Sequence, residues 1–190
     1  MIHAALAAVR WLARAALLAS GLALTSLPAA ATSLRYCDAP PVLDARQQDR
    51  LLRFAALIRR ELEASGQAVA LVARSGLDLE RFAVRYSHAG VSLRASPNTP
   101  WSVRQLYYAC DEQRPRIYDQ GMSGFVLGAN DPAEGYISIV LLPTEAAIPL
   151  ERAALDESQA LALLGATYSA NASAFGQRYQ NCNQWLAELL

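Results

Sequence analysis

The sequence predicts an α+β domain in which helices pack against an antiparallel β-sheet. Apolar residues recur at helical spacing near both ends of the chain, whereas residues 68–142 form short apolar runs separated by turn residues. With 190 residues, 53% of them hydrophobic, the chain suffices for one ordinary domain and is too apolar for a disordered protein. Neither an internal repeat nor a low-complexity linker divides the sequence.

The first 31 residues have the organisation of a secretory signal peptide. Arg10 and Arg14 precede an apolar run over residues 15–24, which small residues follow up to Ala31. This run is short for a bilayer span, although an uncleaved anchor is the alternative. We therefore expect a periplasmic or secreted protein with one mature domain over residues 32–190 and no transmembrane segment after cleavage.

The charge composition argues against nucleic acid as a partner. The chain has 17 basic and 17 acidic residues, and loss of Arg10 and Arg14 leaves a mature charge of about −2. All the basic residues are arginine, which excludes Schiff-base lysine chemistry and a phosphate-loop lysine. No motif indicates a cofactor, and one mature histidine with dispersed cysteines does not offer the spacing of a zinc site.

The elements are predicted in the following order. A helix begins after the N-cap Asp44, runs over residues 45–64 and ends at Ser65-Gly66. Strands are predicted over residues 68–73, 81–94 and 101–108, with a turn over residues 95–100.

The C-terminal half returns to helical spacing. Residues 121–128 fit a short helix or a loop with a strand, and residues 136–142 predict a buried strand that Pro143 stops. A helix over residues 150–164 and a loop over residues 168–180 come next, and Asn181 opens a final helix. Because no cap follows this helix, either the native chain continues beyond Leu190 or the helix frays.

The predicted export determines which redox states are expected for the three mature cysteines, Cys37, Cys110 and Cys182. One pair can form a disulfide in an oxidising compartment, and sequence alone permits three pairings. Cys37 and Cys110 each precede an aspartate at the edge of a predicted element. This similarity favours a Cys37–Cys110 bridge and a free thiol at Cys182.

The strongest chemical signal is the segment Asn181-Cys182-Asn183-Gln184. Asn181 is suited to cap a helix and Gln184 to complete a capping box, which places Cys182 at the first helical position. Unpaired N–H groups and the helix dipole lower a thiol pKa there and favour the nucleophilic thiolate. A buried structural cysteine is the alternative interpretation.

His88 is the one histidine of the predicted mature chain. A neutral imidazole accepts the thiol proton and later protonates a leaving group, and the nearby Gly90 marks a place of close approach by a helix. On the next strand Gln105 can accept a hydrogen bond from the ring, which Arg104 cannot, so Gln105 is the predicted orienting residue. A core histidine with one hydrogen bond and a solvated glutamine are the alternatives.

Two blocks carry a resemblance to a known superfamily. Ser87-His88-Ala89-Gly90-Val91 in a strand and Asn181-Cys182-Asn183-Gln184-Trp185 opening a helix, with His before Cys, resemble the circularly permuted branch of the NlpC-type papain-like superfamily. That branch includes lecithin:retinol acyltransferase-like proteins and bacterial envelope hydrolases. The resemblance implies a papain-like α+β core with Cys182 as nucleophile, His88 as base and Gln105 as orienting residue. Many relatives have a more polarising carboxylate or histidine at the third position.

The mature chain also resembles an uncharacterised proteobacterial domain-of-unknown-function family. The matching blocks lie around Cys37, over residues 101–111 and around Cys182. Together these features predict an exported thiol hydrolase that cleaves an amide or ester bond of a peptidoglycan peptide or a lipid through an acyl-cysteine intermediate, or an acyltransferase that uses the same intermediate. The alternative is a non-catalytic envelope binding or scaffold module of the same fold.

Overall fold

Five antiparallel strands form the centre of the fold, in the spatial order β4–β3–β2–β1–β5. The computed structural model describes residues 42–76, 79–129, 131, 133–173 and 175–190. The strands are β1 (Val69–Arg74), β2 (His88–Leu93), β3 (Ser102–Ala109), β4 (Arg114–Gln120) and β5 (Ile137–Val140). The helices are α1 (Ala45–Ala64), α2 (Met122–Leu127), α3 (Thr144–Leu155), α4 (Glu157–Ala162) and α5 (Cys182–Leu189).

Helices cover both faces of this sheet. Side chains that alternate along each strand point to opposite faces, so the apolar strand residues divide into two sets. Ala70, Val72 and Val103 pack with α1 and α2 in one cluster. Val91 and Leu106 pack with α3, α4 and α5 in the other cluster. The predicted α+β class and antiparallel sheet are confirmed.

Most of the predicted elements are confirmed. The capping box of α1 is complete, because Asp44 Oδ1 accepts from Gln47 N and Gln47 Oε1 accepts from Asp44 N, both at 2.8 Å. Gly66, just beyond the helix end, has a φ of 72°. The ambiguous segment 121–128 forms the short helix α2. Within the described residues, no helix has both the length and the apolar character that a bilayer crossing requires.

The predicted strand over residues 81–94 is wrong in its first half. Residues Glu80–Phe82 form a 3₁₀ turn and only His88–Leu93 form a strand. The reason is the length of its neighbour, because β1 ends at Arg74, which lies opposite His88. Ser87 N still donates to Arg74 O at 3.1 Å, but within the described residues β1 offers no partner to the residues before Ser87.

Two further differences have local causes. The sequence interpretation assigned no element to β4, which contains Pro115; because β4 is an edge strand of the described sheet, one missing N–H donor is tolerated. The predicted helix over residues 150–164 begins earlier, at Thr144, and is split at Asp156. The Asp156 side chain accepts from Gln159 N at 3.0 Å and so caps a new helix.

Candidate active site

Cys182 is the first residue of α5, as predicted, and its thiol is buried. Asn181 Oδ1 accepts from Gln184 N at 2.9 Å and caps the helix. The other half of the predicted capping box is absent among the described residues, because Gln184 Oε1, which would accept from Asn181 N, has no hydrogen-bond partner there, and Gln184 Nε2 donates to Gly176 O at 3.2 Å. One side-chain cap is therefore enough to place the Cys182 sulfur at the N–H groups that begin α5.

The sulfur meets the sheet at the point where β2 and β3 separate. Within the described sheet their pairing ends with Val91 opposite Arg104, so Ala89, two residues earlier, has no partner in β3. Ala89 and Val91 direct their backbone groups to the same neighbour, because these groups alternate along an antiparallel strand. The Ala89 N–H instead faces the Cys182 sulfur, where it acts to lower the pKa of the thiol. The thiol thus lies beside the peptide unit that joins Ala89 to His88.

His88 and Cys182 approach this opening from opposite faces of the sheet. The His88 ring lies on the face covered by α1 and α2, with its centroid 5.9 Å from that of Phe125. Helix α5 packs on the other face. Among the contacts of the described residues none joins the sulfur directly to the imidazole, and the thiol donates to Asn183 Oδ1 at 3.7 Å. The structure therefore brings Cys182 to the backbone next to His88.

Gln105 contacts the His88 ring, and this contact determines which ring nitrogen is basic. Gln105 Nε2 donates to Gln120 Oε1 at 2.7 Å, so its Oε1 faces His88 and accepts from the ring Nε2–H. The remaining nitrogen, Nδ1, then carries the lone pair that can accept a proton. Both residues are buried. Arg104, the alternative orienting residue, instead pairs with Asp119 at 2.8 Å.

Gly90 allows β3 to approach closely enough for this contact. A Cβ at Gly90 would lie 2.6 Å from Val103 Cγ1, 2.9 Å from Arg104 O and 3.1 Å from Gln105 Cβ. The close approach predicted at this glycine therefore exists, but a strand makes it and not a helix.

Gly90→Ala is expected to destabilise the fold by about 1–3 kcal/mol, because the added methyl group must push β2 away from β3. Urea denaturation measures the change in the free energy of unfolding. The matched control is Gly124→Ala in α2, where the new Cβ would be 3.5 Å from Gln120 Cβ, an ordinary contact. Equal stability of the two variants would contradict the role assigned to Gly90.

Burial determines the charge state of both candidate catalytic groups. It raises the pKa of Cys182, and this effect exceeds the lowering by the N–H groups of Ala89, Asn183 and Cys182 and by the charge of Arg74. The predicted lowering of this pKa is therefore wrong. Burial also lowers the pKa of His88 to about 4, with a further contribution from Arg74. At neutral pH the site contains a neutral thiol and a neutral imidazole.

Sequence reasoning missed Arg74. It is the last residue of β1, lies opposite His88, and exposes only 5% of its surface. Its side chain hydrogen-bonds to Tyr107, and its charge lowers the pKa values of both His88 and Cys182. The sequence did contain an indication of this role. Arg74 directly follows the apolar strand residues and precedes Ser75-Gly76, and an arginine is rarely buried.

A small cavity opens beside these groups. Its volume is about 70 Å³, and Arg74, His88, Tyr107, Tyr108 and Tyr168 contribute to its wall. The Tyr107 ring stands edge-on to the His88 ring, with 5.4 Å between centroids. Within the described part of the chain, no group of three His, Cys, Asp or Glu side chains is placed to hold a metal ion.

The redox states of two cysteines agree with the sequence prediction. Cys110 is disulfide-bonded, and Cys182 has a free thiol. Cys37 lies outside the described residues, as does the predicted signal peptide, so the Cys37–Cys110 pairing and the cleavage site stay predictions.

Residues 61–190, more than half of the chain, match the family of uncharacterised proteins conserved in bacteria (DUF2145). The chain belongs to this family. The DUF2145 match extends from the end of α1 through α5 and so contains Arg74, His88, Gln105 and Cys182. No curated protein and no solved structure matches the chain significantly. The predicted membership of a domain-of-unknown-function family is confirmed.

Proposed function

We propose that this DUF2145 protein is an exported thiol hydrolase with the arrangement of the circularly permuted NlpC-type papain-like enzymes. Cys182 is the nucleophile, His88 the base and Gln105 the orienting residue. One observation carries the proposal. The backbone N–H groups of Ala89, Cys182 and Asn183 face the Cys182 sulfur and act to lower its pKa, beside a histidine whose tautomer Gln105 determines.

The first half of the reaction forms an acyl-enzyme. His88 Nδ1 accepts the thiol proton, directly or through one bound water, as the Cys182 sulfur attacks the carbonyl carbon of an amide or ester. Backbone N–H groups at the start of α5 stabilise the negative oxygen of the tetrahedral intermediate. The His88 imidazolium then gives its proton to the leaving amine or alcohol, and Cys182 retains the acyl group.

The second half returns the free enzyme. His88, neutral again, takes a proton from a water molecule whose oxygen attacks the thioester carbonyl. The tetrahedral intermediate expels the sulfur, which regains its proton from His88, and the acid is released. An acyltransferase would differ only in using another hydroxyl or amine in place of water. The expected export makes peptidoglycan peptides and acylated lipids the proposed substrates.

The raised pKa of Cys182 favours a second candidate, a non-catalytic envelope binding or scaffold module. A buried, protonated thiol that donates to a neighbouring asparagine is also what a structural cysteine requires. The two functions differ in one respect. A structural cysteine reacts more slowly when the protein is folded than when it is unfolded, whereas an assisted nucleophile reacts faster.

An acylation experiment with p-nitrophenyl acetate distinguishes the thiol hydrolase from the scaffold module. We expect the folded protein to release p-nitrophenol in a burst and to gain one acetyl group on the Cys182 peptide, located by mass spectrometry. The reference is the same thiol in guanidinium-unfolded protein, and Cys182→Ala serves as the blank. Acetylation that is slower in the folded than in the unfolded protein would support the scaffold module and overturn the hydrolase.

A further inference from the structure

The guanidinium of Arg74 is buried, and the described residues supply no counter-charge to it. No carboxylate of the described residues lies within ion-pair distance of it. Arg74 Nη1 donates to the carbonyl oxygens of Ser75, at 3.1 Å, and Gly128, and its Nε is buried with no hydrogen-bond partner. A buried charge that lacks an opposite charge is costly, and proteins keep one where a ligand or a reacting group supplies the missing partner.

Two glycines make room for this guanidinium. A Cβ at Gly76 would lie 2.5 Å from Arg74 Nη1, and a Cβ at Gly128 would lie 2.7 Å from Arg74 Cζ. On another side the Phe125 ring lies 5.3 Å from the Cζ atom. Close contacts on several sides therefore fix the position of the Arg74 guanidinium.

The guanidinium and the His88 ring line the same cavity. The described residues of the cavity wall include no aspartate or glutamate, and burial lowers the pKa of His88, so that its ring is neutral at neutral pH. About 70 Å³ is room for a few water molecules or one small group. Planar guanidinium groups pair with planar carboxylates through two parallel hydrogen bonds.

We propose that this cavity binds a carboxylate of the substrate and that Arg74 is the residue that pairs with it. The substrate class is then an amide or ester whose acyl or leaving part has a free carboxylate close to the scissile bond. This inference rests on the proposed hydrolase function where it names a substrate, whereas carboxylate binding itself is tested without catalysis.

The test compares alkylation of Cys182 by iodoacetate, which has a carboxylate, with alkylation by neutral iodoacetamide. In both reactions the sulfur bonds to the CH₂ carbon, iodide leaves, and the thiol proton goes to the buffer. Because the same thiolate attacks both reagents, the ratio of the two rates cancels any change in thiol pKa. We expect this ratio to be about tenfold higher in the folded protein than in guanidinium-unfolded protein.

Two substitutions assign the effect to Arg74. Arg74→Gln is expected to return the ratio to the value of the unfolded protein. Arg152→Gln removes the same charge from an exposed position on α3 and should leave the ratio unchanged. An identical ratio in wild type and Arg74→Gln would overturn the proposal. It would leave the hydrolase function standing, because acetylation by the uncharged p-nitrophenyl acetate does not need the carboxylate site.

A competition experiment with the wild-type protein covers the case in which Arg74→Gln does not fold. Acetate and succinate should slow labelling of Cys182 by iodoacetamide, whereas acetamide and succinamide should not, at matched ionic strength. Protection by inorganic phosphate without protection by the carboxylates would contradict the proposal and indicate a phosphate site. Equal effects of acids and amides would also overturn it.

Discussion

Acylation of Cys182 is expected to slow by roughly 10²–10⁴-fold when His88 is replaced by glutamine. Glutamine approaches histidine in size and can keep a hydrogen bond to Gln105, but it has no basic nitrogen. The buried thiol, whose pKa is raised, then loses the group that takes its proton during attack. The burst rate with p-nitrophenyl acetate at pH 7 measures the effect, and an unchanged rate in His88→Gln would remove His88 from the mechanism.

The pH dependence of the same burst separates a catalytic histidine from a merely structural one. His88 has a pKa of about 4, and it acts as a base only when neutral. Wild-type acylation should therefore fall only as the pH decreases through about 4, and a decline centred near 6.5 would contradict the assignment. The Gln105 hydrogen bond raises this pKa, so Gln105→Ala should both reduce the rate and move the decline to lower pH. That shift is expected of a positioning residue.

The position of Cys182 was predictable because it depends on local sequence. Asn181 and Gln184 alone determine where α5 begins, and the first helical residue follows from that start. The pairing of His88 with Gln105 was predictable for a similar reason, since alternation along two neighbouring strands selects Gln105 and not Arg104. Both arguments use only residues close in the chain or on adjacent strands.

The contacts that the sequence did not reveal are the long-range ones. Nothing near Ala89 indicates that β2 and β3 separate there, or that a thiol more than 90 residues away takes the place of the strand partner. The sign of the Cys182 pKa shift was also out of reach. It depends on the burial of the thiol in the folded protein, which exceeds the effect of the helix start. Arg74 joins the site because β1 ends opposite His88.

The opening between β2 and β3 explains how residues from both faces of the sheet contribute to one site. The N–H groups on the Cys182 sulfur belong to α5 and to Ala89, while Arg74, His88 and Gln105 lie on the face of α1 and α2. A continuous ladder would separate these groups by the thickness of the sheet. Gly90, which lets Gln105 approach at the edge of the opening, is therefore the residue on which the arrangement of both halves depends.

The folded protein is expected to lose about 2.5 kcal/mol of stability between pH 7 and pH 4.5 through His88 alone. In the unfolded chain the imidazole binds a proton near pH 6.5, whereas in the folded protein burial lowers the pKa to about 4. As the pH falls from 6.5 toward 4, only the unfolded state gains a proton, so the free energy of unfolding decreases. Above pH 6.5 both states are neutral and the full stability is present.

Urea denaturation of wild type and His88→Gln at several pH values isolates this contribution. Carboxylates also begin to titrate near pH 4.5, but they are common to both proteins, so the difference in unfolding free energy between wild type and His88→Gln reports the histidine and should change by about 2.5 kcal/mol from pH 7 to pH 4.5. His88→Gln should retain only the pH dependence of the carboxylates. If wild type depended on pH no more than His88→Gln does, the imidazole would have the same pKa in the folded and the unfolded protein, which would contradict the lowering assigned to its burial. The pH dependence of the unfolding free energy and the pH dependence of acylation thus both report the pKa of the buried His88 imidazole.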